Sequence, residues 1–334
     1  MPVNKKAVTI IDVAREAGFS VSTVSRVLNH KDDVSEATFT KISSVIDRLA
    51  YSSSLAAKSM RSRKTGVIGL IMPDVEDPYS VLLMQGVNRA IVELDYDLLI
   101  YTNGDLGVRT SGVSEQQYIS LLNGVTDGVI IVTPVSTDYS SSSPVITIDP
   151  NVEGPGSVSV ISDNFQGARN ATRHLIDLGH RRIGYIAGRE DLICSHQRYE
   201  GFIVAMEEGG IPICEGLIVE GDFTADTAYE RALELLNQDD PPTAIFASND
   251  QAAFGVFRAA EEKGINIPGD LSLVGFDNIP AATLRDLTTV DQSVDEMGYT
   301  GAQMLFELIQ GIQPEEMSPV VPTELIIRGS TISI

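Results

Sequence analysis

The sequence predicts an N-terminal all-α headpiece followed by an α/β core of two lobes, each built on a doubly wound parallel sheet. Three observations predict this division. The first sixty residues contain three short amphipathic patterns of helical period. After residue 64, short apolar runs alternate with helical patterns, which is typical of βα units. Positive charge is confined to one end: residues 1–64 hold 11 lysines and arginines against 6 aspartates and glutamates, and the remainder holds 13 against 40.

The first two helices flank a tight turn at Gly18, a residue that supplies the backbone freedom this turn needs. Thr9 and Asp12 resemble a capping box at the start of the first helix. Ser20 can cap the second helix. The expected buried face of the first helix consists of Ile10, Val13, Ala14 and Ala17, and that of the second consists of Val21, Val24 and Leu28.

The outward face of the second helix carries short hydroxylic side chains and one arginine, a set that suits a helix entering the major groove of DNA. Helix-turn-helix shapes also occur in proteins that never touch DNA, so the surroundings of the motif matter. A third helix, capped by Ser35, completes a separate small core, and a short basic stretch follows at 55–64. The net charge of +5 over 1–64 is typical of phosphate binding, whereas −27 over the remainder disfavours it. The expected buried face of the third helix is Phe39, Ile42, Val45, Ile46 and Leu49.

Composition excludes several classes of protein. A chain of 334 residues should form two to three compact units. It has no apolar run of about 18 residues and no apolar signal segment, so we expect a cytoplasmic protein without a membrane span. Cys194 and Cys214 and the four scattered histidines lack metal-ligand spacing, so reduced thiols, no metal and no cofactor are predicted. No GxSxG, P-loop or GxGxxG signature is present, which argues against an enzyme.

The core is predicted from the alternation of strand-like and helical patterns. In the first lobe we expect strands at 67–71, 98–101, 129–132 and 145–148 and helices at 81–94 and 115–122. In the second lobe we expect helices at 167–178, 198–208, 225–236 and 252–262 and strands at 183–187, 217–219, 244–247 and 271–274. A helix at 294–309 and a strand at 320–327 complete the pattern, and the serine-rich tract at 136–143 is interpreted as a solvated loop.

Candidate ligand-binding residues follow the carboxyl ends of the predicted strands, where open α/β sheets bind ligands. Carboxylate, amide and guanidinium groups can form paired hydrogen bonds with vicinal hydroxyls, and an aromatic face can pack on the CH surface of a sugar. The structural alternatives are a salt bridge between Arg198 and an acid of the other lobe, or a helix cap by Asn249 or Asp250. For Asp250 we favour the cap. The predicted effector-binding set is Asp77, Tyr79, Asp163, Arg198, Phe223, Asn249 and Asp277.

Six segments, in their order and spacing, resemble the lactose-repressor (LacI/GalR) family of bacterial transcription regulators from about Val8 to the end of the chain. The resemblance implies a repressor-type DNA-binding domain, a hinge, and a two-lobed, periplasmic-binding-protein-like core that senses a small molecule. The implied boundaries are 1–53 for the headpiece, 54–64 for the hinge and 65–334 for the core, with lobe one at about 65–161 and 292–320 and lobe two at about 162–291 and 321–334. The matching segments are VTIIDVAREAGFSVSTVSRVLN at 8–29, VIGLIMPDVEDPY at 67–79, HLIDLGHRRIGYIAG at 174–188, QRYEGF at 197–202, FASND at 246–250 and LVGFDN at 273–278.

The resemblance also implies how DNA would be contacted. Val21, Ser22 and Arg26 match the positions that read the operator, although Ser22 could position phosphates only. Met60 stands where the family usually carries a leucine wedged into the minor groove; alternatively, it packs only against its dimer partner. A segment of three serines at 52–54 replaces the usual x-Pro-Asn after the tyrosine at 51, so a looser hinge is expected. The full predicted DNA-binding set is Thr9, Val21, Ser22, Thr23, Ser25, Arg26, Asn29, Ala57, Lys58, Met60 and Arg61.

These features are interpreted as a homodimeric repressor of carbohydrate uptake or catabolism genes, with a sugar-like effector controlling its binding to a palindromic operator. Two alternatives remain open: activation by a co-repressor, as in purine-type relatives, and a soluble sugar-binding protein. Some relatives dock a phosphoprotein through basic residues, but Gln303 and Glu307 occupy the matching positions. A phosphoprotein partner is therefore not expected.

Overall fold

The computed structural model describes residues 8–28, 33–49, 51, 64–102, 115–136, 139–151 and 157–334. The chain divides into two compact units, Met1–Thr65 and Gly66–Ile334. No helix within these described ranges is long and apolar enough to cross a bilayer.

The described residues of the first unit form three helices around a small apolar core: α1 (Ile10–Ala17), α2 (Val21–Leu28) and α3 (Glu36–Leu49). The predicted capping box is confirmed, because the Thr9 side chain accepts from the backbone of Asp12 and the Asp12 side chain accepts from the Thr9 backbone. Gly18 ends α1 in the left-handed conformation, with φ at 76°. The Ser20 hydroxyl accepts from the backbone N–H of Thr23 at 3.1 Å, and the Ser35 hydroxyl accepts from that of Thr38 at 3.4 Å, as expected of caps.

One predicted buried residue of α2 is wrong. Val21 is 39% exposed because it belongs to the first turn of the helix, whereas Val24 and Val27, three residues apart on one face, make the buried contact. Leu28 is only half-buried. The consequence is that the start of α2 presents an apolar side chain to solvent beside its hydroxyl groups.

The second unit alternates strands and helices along the chain. Within the described residues its elements are, in order, β1 (Val67–Met72), α4 (Pro78–Glu93), β2 (Asp97–Thr102), α5 (Glu115–Leu122), β3 (Gly128–Val132), β4 (Val145–Ile148), β5 (Ser159–Ser162), α6 (Asn164–Asp177), β6 (Ile183–Ile186), α7 (Ile193–Glu208), β7 (Ile218–Val219), α8 (Ala225–Leu236), β8 (Ala244–Ala247), α9 (Asp250–Lys263), β9 (Ser272–Asp277), α10 (Pro280–Leu284), β10 (Thr288–Asp291), α11 (Val294–Ile309), β11 (Val320–Val321) and β12 (Glu324–Ile326).

These strands form two six-stranded sheets, which confirms the predicted two-lobed α/β class. The first sheet has the order β11-β5-β4-β3-β1-β2 and the second has the order β12-β10-β9-β8-β6-β7. All pairs are parallel except β10 with β12. Central strands such as β1 and β9 are buried along their whole length because the sheets are covered by helices on their faces.

The predicted single strand at 320–327 is wrong, because the chain crosses between the lobes there. Pro322 has no N–H to donate to a ladder, and the two halves of the segment pair with different sheets, β11 with β5 and β12 with β10. Strands β5 and β10 were missed by the sequence analysis. Their sequences, SVIS and TTVD, are too polar to register as apolar runs, yet both strands pair on both edges and are largely buried.

Helices α4, α6, α7 and α9 begin two to five residues before the predicted positions. The serine-rich tract is also more ordered than a free solvated loop. The buried Glu115 carboxylate accepts from the backbone N–H groups of Val135 and Ser136, at 2.7 and 3.1 Å, and from the Tyr139 hydroxyl at 3.0 Å. This anchor fixes the start of the loop onto α5.

Candidate functional site

Arg198 is the central cation of a polar cluster at the carboxyl ends of the strands. It lies in the second turn of α7, not at its start, and is only 4% exposed. Its Nε donates to the Asn164 side chain at 2.9 Å, and its Nη1 donates to the Ser248 carbonyl at 2.7 Å. The guanidinium lies 3.9 Å from the centroid of the Phe276 ring. Contacts from α6, β8 and β9 therefore fix the position of this charge.

Asp277 provides the carboxylate that faces Arg198. Its Oδ1 lies 3.6 Å from Nη1 of Arg198 and accepts from Nε2 of Gln292 at 2.5 Å. Burial raises the pKa of Asp277 well above its usual value, and the Arg198 charge opposes this shift. Both partners belong to the second lobe. The salt bridge of Arg198 therefore lies within one lobe, and the alternative that it joins an acid of the other lobe is wrong.

The first lobe contributes a second acid to the cluster. The Tyr79 hydroxyl donates to Oδ2 of Asp149 at 2.6 Å, and the backbone N–H of Ser162 donates to Oδ1 at 3.3 Å. Burial raises the pKa of Asp149, and the charge of Arg198 on the opposite lobe lowers it. Burial raises the pKa of Tyr79 well above its usual value, and the charge of Asp277 adds to this shift. The polar groups of the two lobes thus lie close enough to act on one another across the cleft.

Several residues of this cluster were absent from the predicted set, among them Asp149 and Cys194. Asp149 directly follows β4, so the rule that selects polar residues after strand ends would have found it. Cys194, interpreted from the sequence as a structural thiol, lies in the first turn of α7, and burial raises its pKa to about 11. The charges of Arg198, Asp149 and Asp277 all act on this thiol. No sequence signal distinguished Cys194, because its position depends on where α7 begins.

Unpartnered polar atoms are concentrated in this cluster. Among the described residues, five buried side-chain nitrogen or oxygen atoms have no hydrogen-bond partner, and four of them belong to residues at or beside the cleft. Because buried polar groups are nearly always hydrogen-bonded in folded proteins, this concentration marks a place suited to an added hydrogen-bonding group. The four atoms are Ser162 Oγ, Tyr185 OH, Ser248 Oγ and Gln292 Oε1.

Three predicted effector residues act as helix caps. Asp77 accepts from the backbone N–H of Ser80 at 3.2 Å at the start of α4, and Asp163 accepts from that of Gln166 at 3.1 Å at the start of α6. Asn249 accepts from that of Ala252 at 2.8 Å at the start of α9. A cap does not remove a residue from the cleft, since Asp77 still contributes to raising the pKa of Asp277.

The expected capping role of Asp250 is wrong, because Asn249 holds the cap position of α9. Asp250 is instead fully buried one residue further on. Its carboxylate accepts from the Thr289 hydroxyl at 2.5 Å and from the backbone N–H of Ile279 at 2.9 Å. Phe223, the predicted aromatic wall, is half-buried, and its ring centroid lies 5.6 Å from the Arg198 guanidinium carbon. The structure therefore brings Tyr79, Arg198, Phe223 and Asp277 together and assigns Asp250 to the layer beneath them.

In the headpiece, the outward face of α2 carries a linked set of hydroxyl groups. The Ser20 hydroxyl lies 2.7 Å from that of Ser22 and 2.8 Å from that of Thr23. The side chain of Arg26 is 58% exposed and its Nε lies 3.6 Å from Oδ2 of Asp33, a weak surface pair. Thr9 is bound to Asp12 in the capping box. Of the predicted DNA-binding residues, Asn29, Ala57, Lys58, Met60 and Arg61 lie outside the described residues.

No group of three or more histidine, cysteine, aspartate or glutamate side chains in the described ranges is arranged to hold a metal ion. The described residues of the site carry charged, hydrogen-bonding and aromatic side chains. Such an arrangement can bind and orient a small molecule.

Comparison with known proteins defines the class. A family model described as bacterial regulatory proteins, lacI family, matches residues 9–54, and a model described as a periplasmic binding protein-like domain matches residues 172–331. The chain is 32% identical to catabolite control protein A of Priestia megaterium over 97% of this chain and 99% of that protein. It is 35% identical to the HTH-type transcriptional repressor PurR of Haemophilus influenzae over 98% of this chain and 99% of that protein.

Solved structures agree with this assignment. A lac repressor dimer bound to operator and an anti-inducer matches 98% of this chain and 100% of that chain, with a TM-score of 0.85 and 25% identity. A complex of the transcriptional regulator CelR with cellobiose matches 97% of this chain and 99% of that chain, with a TM-score of 0.72 and 29% identity. The helix-turn-helix headpiece and the two-lobed core therefore define a DNA-binding transcriptional regulator. The chain belongs to the LacI family of bacterial regulatory proteins.

Proposed function

We propose that this protein is a homodimeric cytoplasmic repressor of carbohydrate uptake or catabolism genes, and that a sugar-like molecule bound between its lobes controls its affinity for a palindromic operator. The observation that carries the effector part is the concentration of four unpartnered buried polar atoms around Arg198 and Asp277. Hydroxyl groups of a bound polyol are suitable partners for these atoms, since each hydroxyl both donates and accepts.

The charges of the cleft favour an uncharged ligand. Arg198, the arginine at its centre, already contacts Asn164, the Ser248 carbonyl and Asp277. Asp149 and Asp277 are buried acceptors whose pKa values are raised, so a phosphate or carboxylate would add negative charge where it is already costly. The half-buried ring of Phe223 lies near the arginine and offers an apolar face. A neutral polyol with one apolar ring face fits this combination.

A bridging ligand explains how binding could change operator affinity. Tyr79 and Asp149 belong to the first lobe, and Arg198 and Asp277 belong to the second. A ligand that contacts all four binds the closed arrangement of the lobes better than the open one, and that difference is the free energy available for regulation. Inducer and co-repressor actions differ only in which arrangement binds the operator.

The likeness to CelR, solved with cellobiose, supports a sugar, and the likeness to PurR keeps the co-repressor alternative in view. A thermal-shift screen of the full-length protein distinguishes a sugar effector from a purine effector. We expect a pentose, hexose or disaccharide at 100 times its Kd to stabilise the fold by about 2.7 kcal/mol. The corresponding sugar phosphate should give no comparable shift. Stabilisation by purine bases alone would contradict the sugar assignment, and so would stabilisation by sugar phosphates alone.

We propose the headpiece at 1–53 and hinge at 54–64 as the DNA-binding part, with base reading by Val21, Ser22 and Arg26 and backbone or minor-groove contacts by Thr9, Thr23, Ser25, Asn29, Ala57, Lys58, Met60 and Arg61. The exposed apolar and hydroxylic start of α2, followed by the exposed Arg26, supports this assignment. The proposed core extends over 65–334.

Arg26→Ala should weaken binding to the selected operator by about 1–3 kcal/mol and relax the preference at one base pair of each half-site, because arginine can pair bidentately with guanine. Fluorescence anisotropy on a set of single-base operator variants measures both effects, and a salt series on the parent should give a steep decrease in affinity. Arg15→Ala, on the exposed face of α1, is the matched control. Equal weakening on every sequence would assign Arg26 to phosphate contact only.

A further inference from the structure

Asn151, which lies beyond β4 in the first lobe, forms a hydrogen bond with the second lobe. Its side-chain Oδ1 accepts from the backbone N–H of Ile193, the first residue of α7, at 3.3 Å. Two further hydrogen bonds hold Asn151 in its own lobe. Its backbone N–H donates to the Pro134 carbonyl at 2.9 Å, and its Nδ2 donates to the Thr133 carbonyl at 3.3 Å. The amide group therefore reaches across the cleft from a fixed position.

Helix α7 has no side-chain cap of its own. Leu192 occupies its N-cap position and its side chain accepts no hydrogen bond. The first N–H groups of a helix have no partner within the helix, so an acceptor from outside stabilises its start. For α7 an acceptor comes from the opposite lobe. By contrast, four other helices of the core, α4, α6, α8 and α9, are each capped by the side chain of the residue before them, namely Asp77, Asp163, Thr224 and Asn249.

The backbone around Asn151 is strained. Thr133 and Asp149, which directly follow β3 and β4, both adopt the left-handed conformation, with φ at 46° and 47°. Such values are unfavourable for residues other than glycine, and they persist where the surrounding structure holds them, often in ligand clamps and switch regions. The Thr133 N–H donates to the Ile148 carbonyl at 2.7 Å, and the Thr133 carbonyl accepts from Asn151. The strained strand ends and the hydrogen bond between the lobes thus belong to one connected network.

We propose that Asn151 is a latch between the lobes, which caps α7 across the cleft and holds the lobes closed when no ligand is bound. The helix that it caps carries Arg198 in its second turn, so closure and the position of that guanidinium are linked through α7. The regulatory meaning of the latch rests on the proposed effector site. The latch itself can be tested without any ligand, so its failure is distinguishable from failure of the proposed function.

Cys194, the second residue of α7, reports opening of the lobes. Burial raises the pKa of its thiol, and the charge of Asp149 in the first lobe adds to this shift, so the thiol should react faster when the first lobe moves away. The full-length protein without ligand is alkylated with iodoacetamide, and peptide mass spectrometry follows Cys194 and the exposed Cys214 separately. Asn151→Ala should raise the rate at Cys194 about fivefold, which corresponds to about 1 kcal/mol, and should leave Cys214 unchanged. Because alanine is neutral like asparagine, the substitution adds no charge near the thiol.

A double-mutant cycle isolates the hydrogen bond between the lobes. Ile193→Pro removes the donor, and proline suits the first position of a helix. Leu192, the residue before it, already has φ at −108° and ψ at 131°, which a following proline allows. In the Ile193→Pro background, Asn151→Ala should therefore have no further effect on the rate at Cys194. In the matched Ile193→Ala background, which keeps the N–H group, Asn151→Ala should retain its fivefold effect.

Hydrogen exchange gives a second measurement that needs only one substitution. In Asn151→Ala the Ile193 amide should exchange about fivefold faster. The Thr227 amide, which donates to the Thr224 cap of α8 in the same lobe, should be unchanged. The proposal would be overturned by an unchanged rate at Cys194, by an equal rise at Cys214, by a fivefold effect that persists in the Ile193→Pro background, or by unaltered exchange at Ile193.

Discussion

Asp277→Ala should abolish the response to the effector while leaving operator binding nearly normal. The Asp277 carboxylate is buried beside Arg198 and Gln292 in the second lobe, so its loss removes hydrogen bonds from the cleft without touching the headpiece. Losing a charged partner of buried hydroxyls costs about 1.5–3 kcal/mol, which is an about 10- to 150-fold loss of effector affinity. In a reporter strain the variant should repress permanently if the ligand is an inducer, and express permanently if it is a co-repressor.

The matched control for this prediction is Asp226→Ala, which breaks an Arg–Asp pair of the same lobe at the surface. Asp226 lies 2.8 Å from Arg258 and its side chain is 88% exposed, so little effect is expected on ligand binding or on stability. Asp277→Asn serves if the alanine variant is unstable, since it keeps an acceptor for Gln292. An Asp277 variant that binds the effector as tightly as the parent in calorimetry would place the effector site elsewhere.

Asp250→Asn should remove a large part of the pH dependence of unfolding of the core. Burial raises the pKa of Asp250 from its usual value to about 7, although the Thr289 hydroxyl and the Ile279 N–H both donate to it. A carboxyl whose pKa is higher in the folded state contributes stability that is complete below pH 4 and is lost as pH rises towards 7. A shift of this size corresponds to roughly 4 kcal/mol at most. Because asparagine resembles the protonated acid, the variant should not lose this contribution to the free energy of unfolding as the pH rises.

Denaturant unfolding of the parent and of the variant between pH 4 and pH 8 measures this difference, with the exposed Asp239→Asn as control. As the pH rises, the free energy of unfolding of Asp250→Asn should increase relative to that of the parent. A difference in unfolding free energy that stays constant between pH 4 and pH 8 would show that Asp250 remains ionised in the folded protein. Because Asp250 also contributes to raising the pKa of Asp277, the variant should bring the Asp277 pKa down and keep the Arg198 pair charged to lower pH.

How the sequence relates to the structure is clearest in particular elements. Local patterns were sufficient for the headpiece, because capping at Thr9, the turn at Gly18 and one apolar helix face are all set by neighbours along the chain. Alternation of apolar runs and helical periods was also sufficient to predict an α/β core. The rule that ligands bind beyond strand ends selected Tyr79, Arg198 and Asp277, which do converge.

Other features depended on tertiary structure, because they arise from pairing between distant segments. The polar strands β5 and β10 are strands only because neighbours on both sides accept and donate their backbone hydrogen bonds. The division of the predicted strand at 320–327 into two strands on either side of Pro322 became visible only when its two flanks paired with different sheets. Asn249 and Asp250 are adjacent in sequence and equally suited to a cap. The fold assigned the cap to Asn249, because the Asp250 carboxylate is held in the interior by the Thr289 hydroxyl and the Ile279 N–H, groups about thirty to forty residues further along the chain.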